Sequence, residues 1–173
     1  AGGPDHLCVL KMDGMVFCTG RGLSGEIGDG GMADRDMLTA ARVPEVVLEI
    51  VAIRPPRDAA FSTTCARVIT EQVYCWGYDD AGQVGSGGTV AEFAPSPFQV
   101  TGLIGVDALY DSMRPVFARM DGGIIGWGPR ANGLFGDEES AGTEESPVAT
   151  ELGRFSGLAF GITHACGIEA DEV

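Results

Sequence analysis

Short runs rich in Val, Ile, Phe and Tyr come in pairs along this chain, and each pair flanks a turn signal, which is the pattern of a β-hairpin. The first pair runs from His6-Leu7-Cys8-Val9 through Asp13-Gly14 to Val16-Phe17-Cys18-Thr19-Gly20, followed by Gly25-Glu26-Ile27-Gly28. A second copy runs Thr63-Thr64-Cys65-Ala66, Val73-Tyr74-Cys75-Trp76-Gly77 and Gly82-Gln83-Val84-Gly85. A third runs Pro115-Val116-Phe117-Ala118, Asp121-Gly122, Ile124-Ile125-Gly126-Trp127-Gly128 and Gly133-Leu134-Phe135-Gly136, and a fourth starts at Thr163-His164-Ala165-Cys166-Gly167. The equivalent positions 8, 65, 117 and 166 are 57, 52 and 49 residues apart, the spacing of blade-sized units. Further strands are expected at Val46 to Ile53, Phe98 to Val100, Leu103 to Leu109, Pro147 to Thr150 and Leu158 to Ile162. Helical periodicity is weak, and Met32 to Arg42 is expected to be loop rather than a turn or two of helix.

Register fixes what the cysteines do. A three-residue loop, Met12-Asp13-Gly14, with Gly in the left-handed slot, sets Cys8 directly opposite Cys18. In the third copy, one residue shorter, a two-residue Asp121-Gly122 turn sets Phe117 opposite Gly126. Opposed residues in a hairpin have Cβ atoms about 4.5 to 5.5 Å apart, near the geometry of a disulfide, so Cys8–Cys18 and Cys65–Cys75 are the predicted bridges. The third copy lacks both cysteines, and a Phe over a Gly is expected to fill the same space.

Composition agrees with a turn-rich folded chain: 27 glycines among 173 residues, 45% hydrophobic and 21% charged. The net charge of -14, with Lys11 the only lysine, works against binding nucleic acid through its phosphates. No run approaches the roughly 18 apolar residues of a membrane-spanning helix. Ala1 to Asp5 lack the basic and then apolar regions of a signal peptide, as expected if a targeting segment has been removed. Two disulfides favour an oxidising compartment, whether secreted, periplasmic or an organelle lumen, over the cytosol.

The pattern H-x-C-x-L, D-G-x-V-x-C-W-G, G-Q-x-G and P-x-x-V-x-G-L resembles the repeat of the regulator of chromosome condensation (RCC1-like) family. It is carried here by His6 to Leu10, Asp13 to Cys18, Cys75 to Gly77, Gly82 to Gly85 and Pro97 to Leu103. The structural repeat positions are Gly20, Gly25 and Gly28; Trp76, Gly77, Gly82 and Gly85; and Trp127, Gly128, Gly133 and Gly136. The resemblance implies an all-β fold of β-propeller blades, about three in this chain, in one repeat domain spanning 1–173. The repeats are expected at about 6–53, 54–109 and 110–160, with the start of a fourth at 161–173. The paired cysteines resemble the variant seen in secreted bacterial proteins and some protists. A seven-bladed ring would need roughly twice this length. The expectation is therefore the arc of a longer propeller, or one completed by other polypeptides; in phase, a partner for Cys166 would fall near position 176.

The resemblance implies a non-enzymatic, protein-binding or scaffold propeller module, expected as an accessory subunit or part of a larger protein assembly. The alternative is guanine-nucleotide exchange, or other regulation, of a small GTPase. Against exchange on chromatin stands the acidic balance, and against a photoreceptor role the placement of the only two tryptophans, Trp76 and Trp127, in the structural W-G slot. No constellation speaks for a hydrolase or a sugar binder, and no catalytic, cofactor or metal residue is assigned.

His6 and His164 share one repeat phase, but the copies at Thr63 and Pro115 do without histidine, which favours a structural inter-blade role. Zinc on His6, Cys8 and Cys18 is disfavoured because the second copy keeps the cysteines without the histidine. Asp137-Glu138-Glu139 with Glu144-Glu145 lacks the spacing of a calcium loop and is read as a solvated acidic stretch. Asp29-Gly30-Gly31 and Asp79-Asp80 are read as turns, and Gly85-Ser86-Gly87-Gly88 lacks the Lys-Ser/Thr of a phosphate loop. Tyr78, Phe93, Phe98 and Phe135 are the candidate apolar anchors for a partner.

Overall fold

The computed structural model describes residues 1–53, 61–113, 115–130, 133–137, 141–161 and 164–169. Among them every regular element is a strand. The first sheet holds β1 (His6–Leu10), β2 (Val16–Gly20) and β3 (Arg35–Ala40). The second holds β4 (Val47–Ile53), β5 (Thr63–Val68), β6 (Val73–Tyr78) and β7 (Phe93–Gln99). The third holds β8 (Val106–Tyr110), β9 (Val116–Met120), β10 (Gly123–Pro129) and β11 (Thr143–Ala149), and the fourth pairs β12 (Phe155–Phe160) with β13 (Ala165–Glu169). Neighbouring strands are antiparallel throughout, so the first three sheets are meanders of the kind that makes a propeller blade and the fourth is a hairpin among the described residues.

The hairpins keep the expected register. Cys8 faces Cys18, Cys65 faces Cys75 and Phe117 faces Gly126, and both cysteine pairs are joined as disulfides. The two-residue turn works because Asp121 and Gly122 both take positive φ, 52° and 76°, matching the twist of the strands beside it. In the second copy the left-handed slot filled by Gly14 in the first is taken by Glu71, at φ 62°. Gly126 is required: a Cβ there would lie 2.7 Å from the Phe135 ring and 2.9 Å from Phe117, whose ring fills the volume a disulfide fills elsewhere.

Each middle strand carries an irregularity at the same phase, between Cys18 and Gly20, Cys75 and Gly77, and Gly126 and Gly128. The glycine that ends it has φ of 101°, 106° or 96°, and a Cβ on Gly77 would sit 2.4 Å from the Ser62 carbonyl oxygen. That bulge re-aims Trp76 and Trp127 out of their own sheets.

The stretch expected to be loop at Met32 to Arg42 contains β3. Its signal is faint because β3 is an outermost strand, exposed at most positions, and it is held by pairing to β2 and by the Thr19 hydroxyl donating to the Arg35 carbonyl at 2.8 Å. β7 and β11 likewise begin earlier than expected and carry Pro95, Pro97 and Pro147, which outer strands tolerate. The sheets also run out of phase with the sequence period: the stretch 6–53 closes on β4, the first strand of the second sheet.

First strands pack against one another across the sheets, β4 on β8 and β8 on β12, which puts them innermost. Glu49 of β4 ties two blades there, accepting from the Leu109 backbone N–H at 3.0 Å while pairing with Arg67 at 3.1 Å. Beside β1 the inner edge is partly covered by residues 1 to 3: the Ala1 carbonyl accepts from the Cys8 N–H at 2.9 Å and Gly2 bridges Leu7. The apolar core lies in the seams between sheets. Cys8, Cys18, Ile27, Val68 and Trp76 fill the first; Val84, Val100, Val106, Val116 and Trp127 the second; Phe117, Leu134 and Phe135 the third.

Candidate functional site

Two seams are built on one latch. Trp76, fully buried, donates its indole N–H to the Glu26 carbonyl at 2.9 Å, reaching from the second blade into the loop that follows β2. Trp127 does the same from the third blade to the Gln83 carbonyl, also at 2.9 Å. Each indole needs a glycine beneath it, because a Cβ on Gly28 would be 2.8 Å from Trp76 and one on Gly85 3.0 Å from Trp127. The same loops are held at their other end by the next blade's outer strand: the Gly30 N–H donates to Pro95, and the Gly87 N–H to Glu145. The recurring glycines and tryptophans are therefore the joinery between blades.

His6 belongs to the first seam. Its Nε2 lies 3.0 Å from Thr64 Oγ1 and its Nδ1 3.0 Å from Ser62 Oγ, so one ring bridges two blades with both nitrogens partnered. Burial, with the N-terminal ammonium adding and Asp5 opposing, pushes its pKa down to about 4, so it is neutral at physiological pH. His164, at the same phase, is exposed; among the described residues no further sheet stands beyond β13 for it to bridge. The ring lies instead over Gly161, whose N–H donates to the His164 carbonyl.

Glu26 and Gln83 hold equivalent places and fold back alike: Glu26 Oε2 accepts from the Ser24 N–H at 2.8 Å, and Gln83 Oε1 from the Ala81 N–H at 2.9 Å. Gln83 then donates to Asp80 at 2.9 Å, whereas Glu26 Oε1 has no hydrogen-bond partner and lies 3.9 Å from Arg21 Nε. Burial raises the Glu26 carboxyl above its ordinary value. Asp79, at the second seam, is pushed up to about 6 by burial, against the Val84 N–H and Ser86 hydroxyl that it accepts from.

Above the second seam, on the face formed by these loops, lies a half-open cavity of about 150 Å³. Ile53, Met113 and Pro129 form its apolar side, Phe61 and Tyr78 an aromatic wall, and Thr63, Asp80 and Gln83 its polar side. The wall continues a stack in which the Arg21 guanidinium lies 4.7 Å from the Phe61 ring, Phe61 stacks on Tyr78 at 4.7 Å, and Tyr78 tilts against Phe93 at 5.8 Å. Burial and the neighbouring Asp80 and Glu92 push the Tyr78 phenol up to about 12.

Of the four candidate anchors, the cavity uses Tyr78, with Phe93 behind it. Phe135 is not a loop anchor: it is buried and packs on Phe117 at 5.4 Å, because the third blade has no disulfide to fill that space. Phe98 is partly buried against the second seam. Asp80, read as part of a turn, proves to be the acid at the cavity, and no sequence motif marks Ile53, Met113 and Pro129 as its lining. Glu138 and Glu139 of the acidic stretch, and Thr163, lie outside the described residues. Glu144 and Asp137 pair with Arg130, so that part of the stretch is ion-paired and not simply solvated. Among the described residues no group of three or more His, Cys, Asp or Glu side chains is placed to hold a metal.

Residues 71–110 match the family model for the regulator of chromosome condensation (RCC1) repeat. The chain is 26% identical over 175 residues to the Ultraviolet-B receptor UVR8 of Arabidopsis thaliana, with 98% of this chain and 38% of the receptor covered. Human WBSCR16 superimposes with a TM-score of 0.77 at 18% identity, over 96% of this chain and 43% of the other. Prp20p of Saccharomyces cerevisiae, studied for binding to Gsp1p and histones, gives 0.74 at 15% identity, over 99% and 44%. Yeast RCC1 (Prp20) in a structure with Kap60 gives 0.73 at 18% identity, over 98% and 40%. The chain thus spans about two-fifths of the length of these relatives. Residues 71–110 are thus one RCC1 repeat, and with the same glycines repeated in phase before and after it the chain is similar along its length to RCC1-like β-propeller proteins.

Proposed function

We propose that this chain is a protein-binding scaffold module, without catalytic activity of its own, that works through the loop face of its blades inside a larger assembly. The observation that carries this reading is how the polar side chains are used. Trp76, Trp127, His6 and the four bridged cysteines are all engaged within blades or seams, while the loop face offers a cavity too small for a typical substrate site. Small-molecule sites run to about 300–1,000 Å³, a size reached by the open cavities of about 320 Å³ at Met15 and Pro44 and about 550 Å³ at Leu103 and Pro147, whereas the 150 Å³ of the loop-face cavity suits one anchoring side chain of a partner. The similar yeast protein is described as binding Gsp1p and histones, and yeast RCC1 as bound to Kap60, all of them proteins. The two disulfides support placing the module in an oxidising compartment.

The second reading, exchange factor for a small GTPase, is favoured by the likeness to Prp20p. One preparation separates the two. Purified under native conditions from its source, a scaffold module elutes with a partner in fixed stoichiometry and leaves the rate of GDP release from added small GTPases unchanged. Accelerated release would establish the exchange reading, and elution as a lone polypeptide at every concentration would overturn the scaffold reading.

A further inference from the structure

Resting on the scaffold reading, we infer that the cavity between Ile53, Tyr78, Asp80 and Met113 receives an arginine side chain presented by a partner protein. Among the described residues the lining contains a carboxylate, hydroxyls, an amide and two aromatic rings, and no cation. Asp80 accepts from Gln83 through Oδ1, and among the described residues it has no cationic partner, unlike Asp29, Glu49, Asp107 and Asp137, each of which pairs with an arginine. The carboxylates of Asp80 and Glu92 flank the Tyr78 phenol, which burial and then these acids push up, and the whole chain carries -14.

Size and shape narrow the ligand further. About 150 Å³ is the room of roughly five waters, enough for one long side chain and too little for a folded loop. Ile53, Met113 and Pro129 would cover the methylene stem, and a planar guanidinium meets a carboxylate with two parallel N–H donors, as a lysine ammonium cannot.

Acetyl-arginine amide, titrated into the isotope-labelled intact protein, should move the backbone NMR signals of Ser62, Thr63, Ala81 and Gln83 saturably, with a millimolar Kd. Acetyl-citrulline amide, the neutral isostere, should produce no saturable shift, and Asp80→Asn should weaken arginine binding about tenfold. Shifts that never saturate, that spread over acidic residues elsewhere, or that persist in Asp80→Asn would overturn the inference. So would a gain of about tenfold in Arg54→Ala/Arg57→Ala, which would make an arginine of this chain the occupant. The native partner, once isolated, separates the two levels. Asp80→Asn that keeps the partner at unchanged affinity overturns the cavity as the docking point and leaves the scaffold reading standing. Arginine binding by a chain that has no partner does the reverse.

Discussion

The first seam and the second are the same joint made from different chemistry. In both, an indole N–H meets a loop carbonyl at 2.9 Å over a glycine. The first adds His6 between two hydroxyls and a buried carboxylate at Glu26; the second has Thr63 at the histidine's phase, Gln83 at the glutamate's, and keeps its buried acid at Asp79. The lesson is that joinery is set by backbone geometry and one aromatic ring, while the titratable groups around it are free to differ. Removing the ring should therefore hurt both seams alike. Trp76→Ala and Trp127→Ala are each expected to cost about 3 to 5 kcal/mol, measured by denaturant unfolding. A cost below about 1 kcal/mol at either seam would mean that the latch is not what holds the blades.

Acid should then drive the two seams apart. The folded pKa of His6, about 4, lies below the 6.5 of the free side chain, so the unfolded chain takes up the proton first and the contribution of His6 is lost as pH falls from 6.5 towards 4. The full interval corresponds to about 3 kcal/mol, offset in its lower part as Glu26, raised by burial in the same seam, becomes protonated. Asp79 has the opposite sign. With its carboxyl pushed up to about 6, its ionised form is disfavoured in the fold, and the second seam gains as pH drops through that value. Hydrogen exchange between pH 7 and pH 4.5 should show faster opening at Thr64 and slower opening at Val84, after correction for intrinsic rates. His6→Gln should abolish the first trend and leave the second, and parallel changes at both sites would refute the assignment.

Reduction sharpens the contrast from another side, because the first seam lies between two bridged sheets and the second between a bridged and an unbridged one. Each bridge joins cysteines 10 residues apart, which the chain-entropy model values at about 2 to 3 kcal/mol. A reducing agent should raise exchange in β1, β2, β5 and β6 and leave β9 and β10, where Phe117 fills the space over Gly126, near their starting rates. Equal loosening of the third blade would show that the bridges act on the whole stack.

How much of this the sequence disclosed follows from distance along the chain. The hairpins, both disulfides and the Phe117–Gly126 substitution could be read because they depend on a few consecutive residues and the turn between them. β3 could not, since a strand exposed on both faces has no alternation to display. The latches join residues 50 and 44 positions apart, so the sequence showed that the tryptophans and glycines recur but not what they touch. Nor could the cavity be foreseen: it takes single residues from several loops and strand ends of two blades, and Asp80 reads as half of an ordinary turn until Tyr78 and Met113 are placed around it.

The smallest expected effect isolates the one side chain that departs from the shared pattern. Glu26→Gln gives the first loop the residue that the second has, keeping the acceptor for the Ser24 N–H as Gln83 keeps one for Ala81. It removes a buried oxygen without a hydrogen bond, at the cost of the 3.9 Å approach to Arg21. Because burial raises the Glu26 carboxyl even though Arg21 favours its charge, the amide should win at neutral pH by about 1 kcal/mol in thermal unfolding. The gain should shrink as pH falls and the wild-type carboxyl becomes neutral too. A variant less stable than the wild type at pH 7 would mean that the Arg21 pairing outweighs burial, and that the first seam depends on an ion pair the second does without.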